Sequence, residues 1–412
     1  MIIENVGFKF KILTIITFCL YLFWGSFGLD LLLNPNEERI PFHRFYMGLT
    51  VVIFLFNYQH VLLSLMSNKI LISLVFYVLL TAAWAGSPEG VIKNFIFLFS
   101  ATFISIMAAI AFMDNRIALI RWLFWIFMAL TISSVIFAMQ YPKLGINVLD
   151  FGAPRWIGIT THPNALGMQA LMLVWLSANL YLFSKAMIEK ILIVFAVVVG
   201  IFAITKADSM TSLITSIVII IYIFYCQVFG RLSSGLRFVL ITFSILAFVF
   251  TVTFYMSASE ITDATLASTG RNTTFTGRSG QWKLALADAA ERPITGVGFD
   301  DLGQLTKKHR INMTQVHNGY IETLLKGGLI ASVLMIAILL KTFFHLFLIR
   351  RTLKDDFVFL SSGFVMILLH NFTETSFLKA LNPLGFIMIY LVVSTSVLIN
   401  SRGNSKSNGH EI

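Results

Sequence analysis

KILIVFAVVVGIFAITK (Lys190–Lys206), the short link ADSM (Ala207–Met210) and TSLITSIVIIIYIFYCQVF (Thr211–Phe229) decide the fold. A helix rises 1.5 Å per residue, so about 20 apolar residues cross the hydrocarbon layer of a bilayer. Both runs approach that length, and neither carries a charge inside it. They are apolar on every side rather than along one stripe, which marks helices surrounded by lipid or by other helices. The link is too short for anything but a tight turn, so the pair reads as two antiparallel membrane spans.

Working outward, the same pattern recurs along the chain. Apolar runs at 10–28, 45–66, 70–86, 93–113, 118–139, 164–184, 189–205, 209–229, 236–257, 318–348, 356–373 and 381–399 predict about twelve spans. The first run is too long for a secretory leader and lacks a small-x-small cleavage site, so it reads as an uncleaved span. Of 412 residues, 57% are hydrophobic and 12% charged, and mean hydropathy is +0.84. A soluble chain carries about 25% charged residues, so most of this surface must face lipid. The expected fold is an all-α, polytopic transmembrane helix bundle with one long external loop holding short interfacial helices. Its parts are spans one to nine (1–257), the loop (258–317), spans ten to twelve (318–399) and a polar cytoplasmic tail (400–412), expected to be unstructured.

The net charge of +10 follows membrane rules, since Lys and Arg collect on the cytoplasmic side. With the N-terminus inside, fifteen basic residues fall at inner ends, among them Lys9, Lys11, Lys185, Lys190, Arg350 and Arg351. Short outer loops hold seven. No basic, aromatic-interleaved face of the kind that binds nucleic acid is visible. Cys19 and Cys226 lie in apolar runs and read as packing residues.

Ionisable groups are costly at bilayer depth, and the span centres are nearly free of them; His60 and His345 read as packed or interface histidines. The polar residues instead gather in three motifs on the expected outer side. The first is Arg155-Trp156-Ile157-Gly158, then Thr161-His162-Pro163-Asn164-Ala165-Leu166-Gly167. Pro163 suits a first helical turn, with Thr161 or His162 capping it; Arg155 also suits a lipid head-group contact. The second is Thr276-Gly277-Arg278-Ser279-Gly280-Gln281-Trp282, ending in Pro293-Ile294-Thr295-Gly296-Val297-Gly298. Here 279–291 reads as a short helix with Trp282, Leu284 and Leu286 against the membrane interface. Arg278 at its N-terminus would join free N–H groups in holding an anion such as a diphosphate; a snorkelling Arg is the other reading. The third runs from Val316-His317-Asn318-Gly319-Tyr320-Ile321-Glu322 to Lys326-Gly327-Gly328. His317 can accept a proton or hold a phosphate, or serve structure alone. Gly327 and Gly328 permit a kink or a close neighbour. Weaker signals on the same side are Lys206-Ala207-Asp208-Ser209-Met210-Thr211 and His370, Asn371 and Glu374. No P-loop, HExxH, zinc-spaced Cys/His set or Gly-x-Ser-x-Gly is present, and Asp300-Asp301 is a plain acidic pair, so neither metal nor cofactor is expected.

In combination these motifs resemble the O-antigen ligase and polysaccharide polymerase superfamily of bacterial envelope proteins. The resemblance rests on Gly158–Gly167, Ser209–Thr211, Thr276–Trp282, Pro293–Gly298 and His317–Ile330, and covers about 155–375. The basic residue usual in the Ser-x-Thr turn is Met210 here, with Lys206 as a substitute. The resemblance implies inverting, metal-independent glycan transfer from a polyprenyl-diphosphate carrier at the outer face of the cytoplasmic membrane, in contact with membrane lipid. It implies catalytic roles for His317 and Arg278, diphosphate contacts from Arg155, Arg278 and Lys206, and support from His162, Asn164, Trp282, Asn318, Glu322 and Glu374. The motif wording favours an O-antigen, capsule or exopolysaccharide polymerase, with a flippase and a chain-length regulator as partners. Transfer to a lipid A core, as by a ligase, and transport of a small anion are the alternatives.

Overall fold

The computed structural model describes residues 14, 16, 17, 64–147, 154–228, 274–300, 302–310, 315–350 and 353–407. The expected span at 236–257, nearly all of 10–28 and 45–66, and the loop opening at 258–273 lie outside these residues, as does His60.

The described chain is helical apart from one two-residue hairpin. In order come α1 (Lys69–Leu80) with a 3-10 turn (Thr81–Ala83), α2 (Pro88–Ala111), α3 (Arg116–Gln140) and short α4 (Pro142–Gly145). Strands β1 (Ile146–Asn147) and β2 (Arg155–Trp156) pair antiparallel. Then follow α5 (Pro163–Phe183), α6 (Met187–Lys206), α7 (Met210–Val228), α8 (Thr274–Glu291), α9 (Gly303–His309), α10 (Gly319–Ile349), α11 (Lys354–His370) and α12 (Pro383–Ser407).

Seven of these helices are long and apolar enough to cross a membrane, and the segments Lys69–Ala83 and Asp356–His370 are shorter apolar helices. This is a multi-pass, all-α membrane protein. The expected count of twelve spans is not reproduced among the described residues, because three expected spans fall wholly or mostly outside them. Helix α12 continues to Ser407, into the stretch expected to be an unstructured tail.

Burial sorts the helices. The apolar window of α5 is 78% buried and that of α12 is 83%, against 28% for α6, α7 and α10. The outer helices turn Ile191, Val194, Phe195, Val333, Leu340 and Phe343 outward, as lipid-facing helices do. At the centre the Trp175 ring stacks on Phe359 at 4.7 Å, and its Nε1–H donates to Ser362 Oγ at 2.9 Å.

Two ends of the bundle differ. At one end Arg116 pairs with Asp356 (3.2 Å) and Arg121 with Glu189 (3.0 Å). There Asn115 Oδ1 caps α3 by accepting from the Ala118 N–H. At the other end three helix starts carry polar caps, which satisfy otherwise free N–H groups. Ser87 Oγ accepts from the Gly90 N–H, His162 Nδ1 from the Asn164 N–H, and Asn318 Oδ1 from the N–H groups of Tyr320 and Ile321. The sequence assigns the first-helix cap of its first motif to Thr161 or His162; it is His162.

The Pro293–Gly298 turn and the Gly327-Gly328 pair are two halves of one joint. Helix α10 breaks its regular geometry at Gly328, where φ is 62°. The freed backbone takes the turn instead: Leu329 N–H donates to Pro293 O, Val297 N–H to Leu325 O and Gly298 N–H to Lys326 O, at 2.8–2.9 Å. Gly296 also has positive φ (70°). A Cβ on Gly296 would strike the Lys326 carbonyl, and one on Gly328 the Ile294 carbonyl. Tyr77 Oη locks the joint by sharing its one proton between Thr295 O (3.1 Å) and Gly327 O (3.0 Å).

Helix α8 starts at Thr274, earlier than the sequence suggests, so Arg278 sits a full turn inside it rather than at its N-terminus. The expectation that Trp282 and Leu284 face the membrane interface is also corrected. Both pack inward with Ala285, Ala289, Leu302, Val316 and Leu325, and only Leu286 is exposed. The reason is that α8 has its own apolar partner in α10. Short α9 is tied to α8 by Asp288, which meets Lys308 Nζ at 2.6 Å and His309 Nε2 at 2.7 Å.

Candidate active site

The three motifs meet around Glu374, in the loop after α11. Its Oε1 accepts from Arg278 Nη2 at 2.7 Å and from Asn164 Nδ2 at 2.6 Å. Its Oε2 lies 3.0 Å from His317 Nδ1. Arg278 Nη1 donates to Thr373 O at 2.7 Å, and the Thr373 hydroxyl bonds that of Thr211 at 2.7 Å. Asn164 then passes the network to Arg155, whose Nη2 donates to Asn164 Oδ1 at 2.9 Å. Arg155 also ties down the turn between α6 and α7, donating to Ala207 O (3.0 Å) and Asp208 O (2.9 Å). Residues from all three motifs and from both weaker signals thus share a single network.

His317 is held by its backbone. It is one of the few non-glycine residues with positive φ (56°), a conformation that persists only where surroundings enforce it. Trp282 Nε1–H donates to Val316 O (3.0 Å) and the Val316 N–H to Glu322 Oε2 (3.0 Å). On the other side Asn318 Nδ2 donates to Phe372 O (3.0 Å), and the Gly319 N–H reaches Asn371 O (2.8 Å) and Glu374 O (3.1 Å). Glu322 in turn pairs with Lys326 (3.3 Å) and Lys379 (3.4 Å). Gln315 Nε2 is 3.1 Å from His317 Nδ1. An ionised carboxylate is the stronger partner, which assigns the Nδ1 proton to the bond with Glu374.

Arg278 pairs with the buried Glu374 carboxylate at 2.7 Å, and Arg155 is joined to it only through Asn164; the Asp208 carboxylate, 66% exposed, stands 4.0 Å from Arg155. Burial alone would raise the Glu374 carboxyl. The His317 hydrogen bond and the Arg278 charge override it and hold the group below its ordinary value, so Glu374 is ionised at neutral pH. Burial, with Arg155 nearby, lowers His162 and keeps it neutral and able to cap α5. Burial also lowers Arg155, against the pull of Asp208. The cluster thus holds two guanidiniums in fixed positions, an arrangement of the kind that stabilises growing negative charge.

Of the residues singled out from the sequence, Arg155, Asn164, Arg278, His317 and Glu374 join directly. His162, Trp282, Asn318 and Glu322 hold the backbone that carries them. Lys206 stands beside the network: its ammonium lies over the rings of Trp156 (5.6 Å) and Phe202 (5.7 Å). Sequence reading misses Gln315 and Thr373 altogether. No local signal marks Gln315 or Thr373, since their partners come from distant segments.

Residues 192–336 match the family model described as O-antigen ligase. This segment belongs to the O-antigen ligase-like superfamily. The O-antigen ligase-like segment runs from α6 into α10, about a third of the chain, and contains Lys206, Arg278, Trp282, His317, Asn318 and Glu322. Arg155, Asn164 and Glu374 lie outside the matched span yet complete its network. The family implies ligase- or polymerase-type glycosyl transfer on lipid-linked oligosaccharides. No curated protein matches the chain.

Proposed function

We propose that the protein is a polysaccharide polymerase, which transfers glycan from a polyprenyl-diphosphate carrier to a lipid-linked repeat unit at the outer face of the bacterial cytoplasmic membrane. The observation that carries this reading is the Glu374 network, where two guanidiniums and a carboxylate-bound histidine share one helix-capped end of a membrane bundle. Arg155 and Arg278 hold the diphosphate. His317 takes the proton of the acceptor hydroxyl on Nε2, while Glu374 accepts from Nδ1–H and steadies the imidazolium that forms. The acceptor oxygen then bonds to the anomeric carbon of the donor sugar, and the bond from that carbon to the diphosphate oxygen breaks. The electron pair leaves with the diphosphate, whose added charge the two arginines stabilise. One displacement inverts the anomeric centre, and the chain's own residues supply each proton and charge.

The family description is compatible with a second reading, in which the acceptor is a lipid A core. The two share the chemistry and differ in the acceptor. Purified protein in liposomes, given the lipid-linked repeat with and without EDTA, should build chains of several repeats at equal rates in both conditions. Chains that form only on an added lipid A core support the ligase; no transfer to either acceptor overturns both.

A further inference from the structure

Beside the Glu374 network, the starts of α2 and α10 and the loop before α12 enclose a cleft of about 500 Å³. None of the five directly joined network residues lines it. The two are adjacent all the same: Lys379 of the cleft donates to Gln315 Oε1 at 3.3 Å, and Gln315 lies against the His317 ring. The volume falls in the range of small-ligand sites, roughly 300–1,000 Å³.

The lining says what kind of ligand fits. Lys93, Lys326 and Lys379 face in as donors, and Glu89, Asp300 and Glu322 as acceptors. A free phosphate or a diphosphate would meet three carboxylates there, and an acyl chain would meet six charged groups. Asn94 and Thr323 add neutral polar groups, and Phe97, Phe299 and Phe377 add flat apolar walls. Donors and acceptors in equal supply, set against apolar faces, suit a ring that carries hydroxyls around its edge and C–H groups on its faces. Some of this lining is already fixed in place. Glu322 is held by Lys326 and Lys379, and Asp300 Oδ2 accepts from the Ser87 N–H at 3.0 Å.

We propose that this cleft binds sugar residues of the lipid-linked substrate while the arginine cluster holds its diphosphate, so that Lys93, Asn94 and their neighbours select the glycan. The inference rests on the proposed function, and it adds the site that reads the sugar.

The test compares two probes in nanodiscs holding the full chain: undecaprenyl diphosphate without sugar, and the lipid-linked repeat unit extracted from the source cells. The wild type should bind the repeat-bearing lipid at least about tenfold more tightly, a difference of 1.4 kcal/mol. Asn94→Trp, which fills the cleft, and the double change Lys93→Ala with Asn94→Ala, which strips it, should bring that ratio close to one. Thermal unfolding in the same nanodiscs reports folding, and the double alanine variant carries the test if the tryptophan variant does not fold. A wild-type ratio retained in a folded variant overturns the cleft assignment and leaves the proposed function standing, as does a wild-type ratio of one. Failure of the wild type to bind either lipid overturns the proposed function, and this inference with it.

Discussion

Glu374→Gln separates the charge of the central carboxylate from its shape. The change is isosteric, and the network dictates how the new amide must sit. Two donors, Arg278 Nη2 and Asn164 Nδ2, share Oε1, so the amide oxygen must stay there. The amide nitrogen then faces His317 Nδ1, which lies 3.0 Å from the present Oε2. Nδ1–H then loses the acceptor that held its proton and meets two amide donors, that of residue 374 and that of Gln315, so the imidazole should change tautomer and carry its proton on Nε2. That is the nitrogen assigned to accept the acceptor proton, and it is no longer basic. General-base catalysis contributes about 10²- to 10⁴-fold, so kcat for glycan transfer should fall by roughly that factor. The loss of one charge-assisted pair to Arg278 should also cost about 1.5–3 kcal/mol of stability. Affinity for the diphosphate lipid should hold or rise, because Arg278 then faces no carboxylate. Initial rates with purified lipid-linked repeat, taken over a range of concentrations, separate kcat from KM, and thermal unfolding in the same detergent gives the stability change. A folded variant with kcat within about threefold of wild type refutes the orientation of His317 by Glu374.

Three further outcomes follow from the same contacts. Gly328→Ala places a side chain against the Ile294 carbonyl at a φ of 62°, and should lower stability by at least about 1–3 kcal/mol and reduce activity; thermal unfolding and transfer rate report it. Trp282→Phe keeps the packing and deletes the bond to Val316 O, about 1 kcal/mol, and should loosen the His317 backbone, read as faster amide exchange at 315–318. His162 is lowered from its ordinary 6.5, so the unfolded chain takes up the proton first and stability should fall as pH drops below about 6.5. His162→Asn, which still caps, should flatten the unfolding midpoint between pH 7 and 5, whereas an unchanged slope contradicts the assignment.

Much of the bundle was legible because a membrane imposes a coarse rule. Runs such as 118–139 and 164–184 find helices at Arg116–Gln140 and Pro163–Phe183, since a predominantly apolar stretch of that length has few other ways to bury its backbone polar groups. Short-range cap chemistry was legible too, as at His162-Pro163 and Asn318. What escaped was pairing across distance. Glu374 reads as a weak signal at the end of a span, because its partners Asn164, Arg278 and His317 are 210, 96 and 57 residues away. Gly296 and Gly328 each suggest a bend, but only the structure shows that each bend makes room for the other. The sequence sets Trp282 at the membrane interface because an amphipathic stretch by itself cannot say whether its apolar side meets lipid or protein; here α10 takes it.

The most direct test of the account is the initial rate of glycan transfer by the purified full-length protein, measured for wild type, Arg278→Ala and His317→Ala. Arg278→Ala should lower the rate by about 10²-fold or more, as loss of a preorganised charge does, and His317→Ala by a similar factor, with both variants still folded. Transfer at the wild-type rate by both would contradict the assignment of this network as the active site.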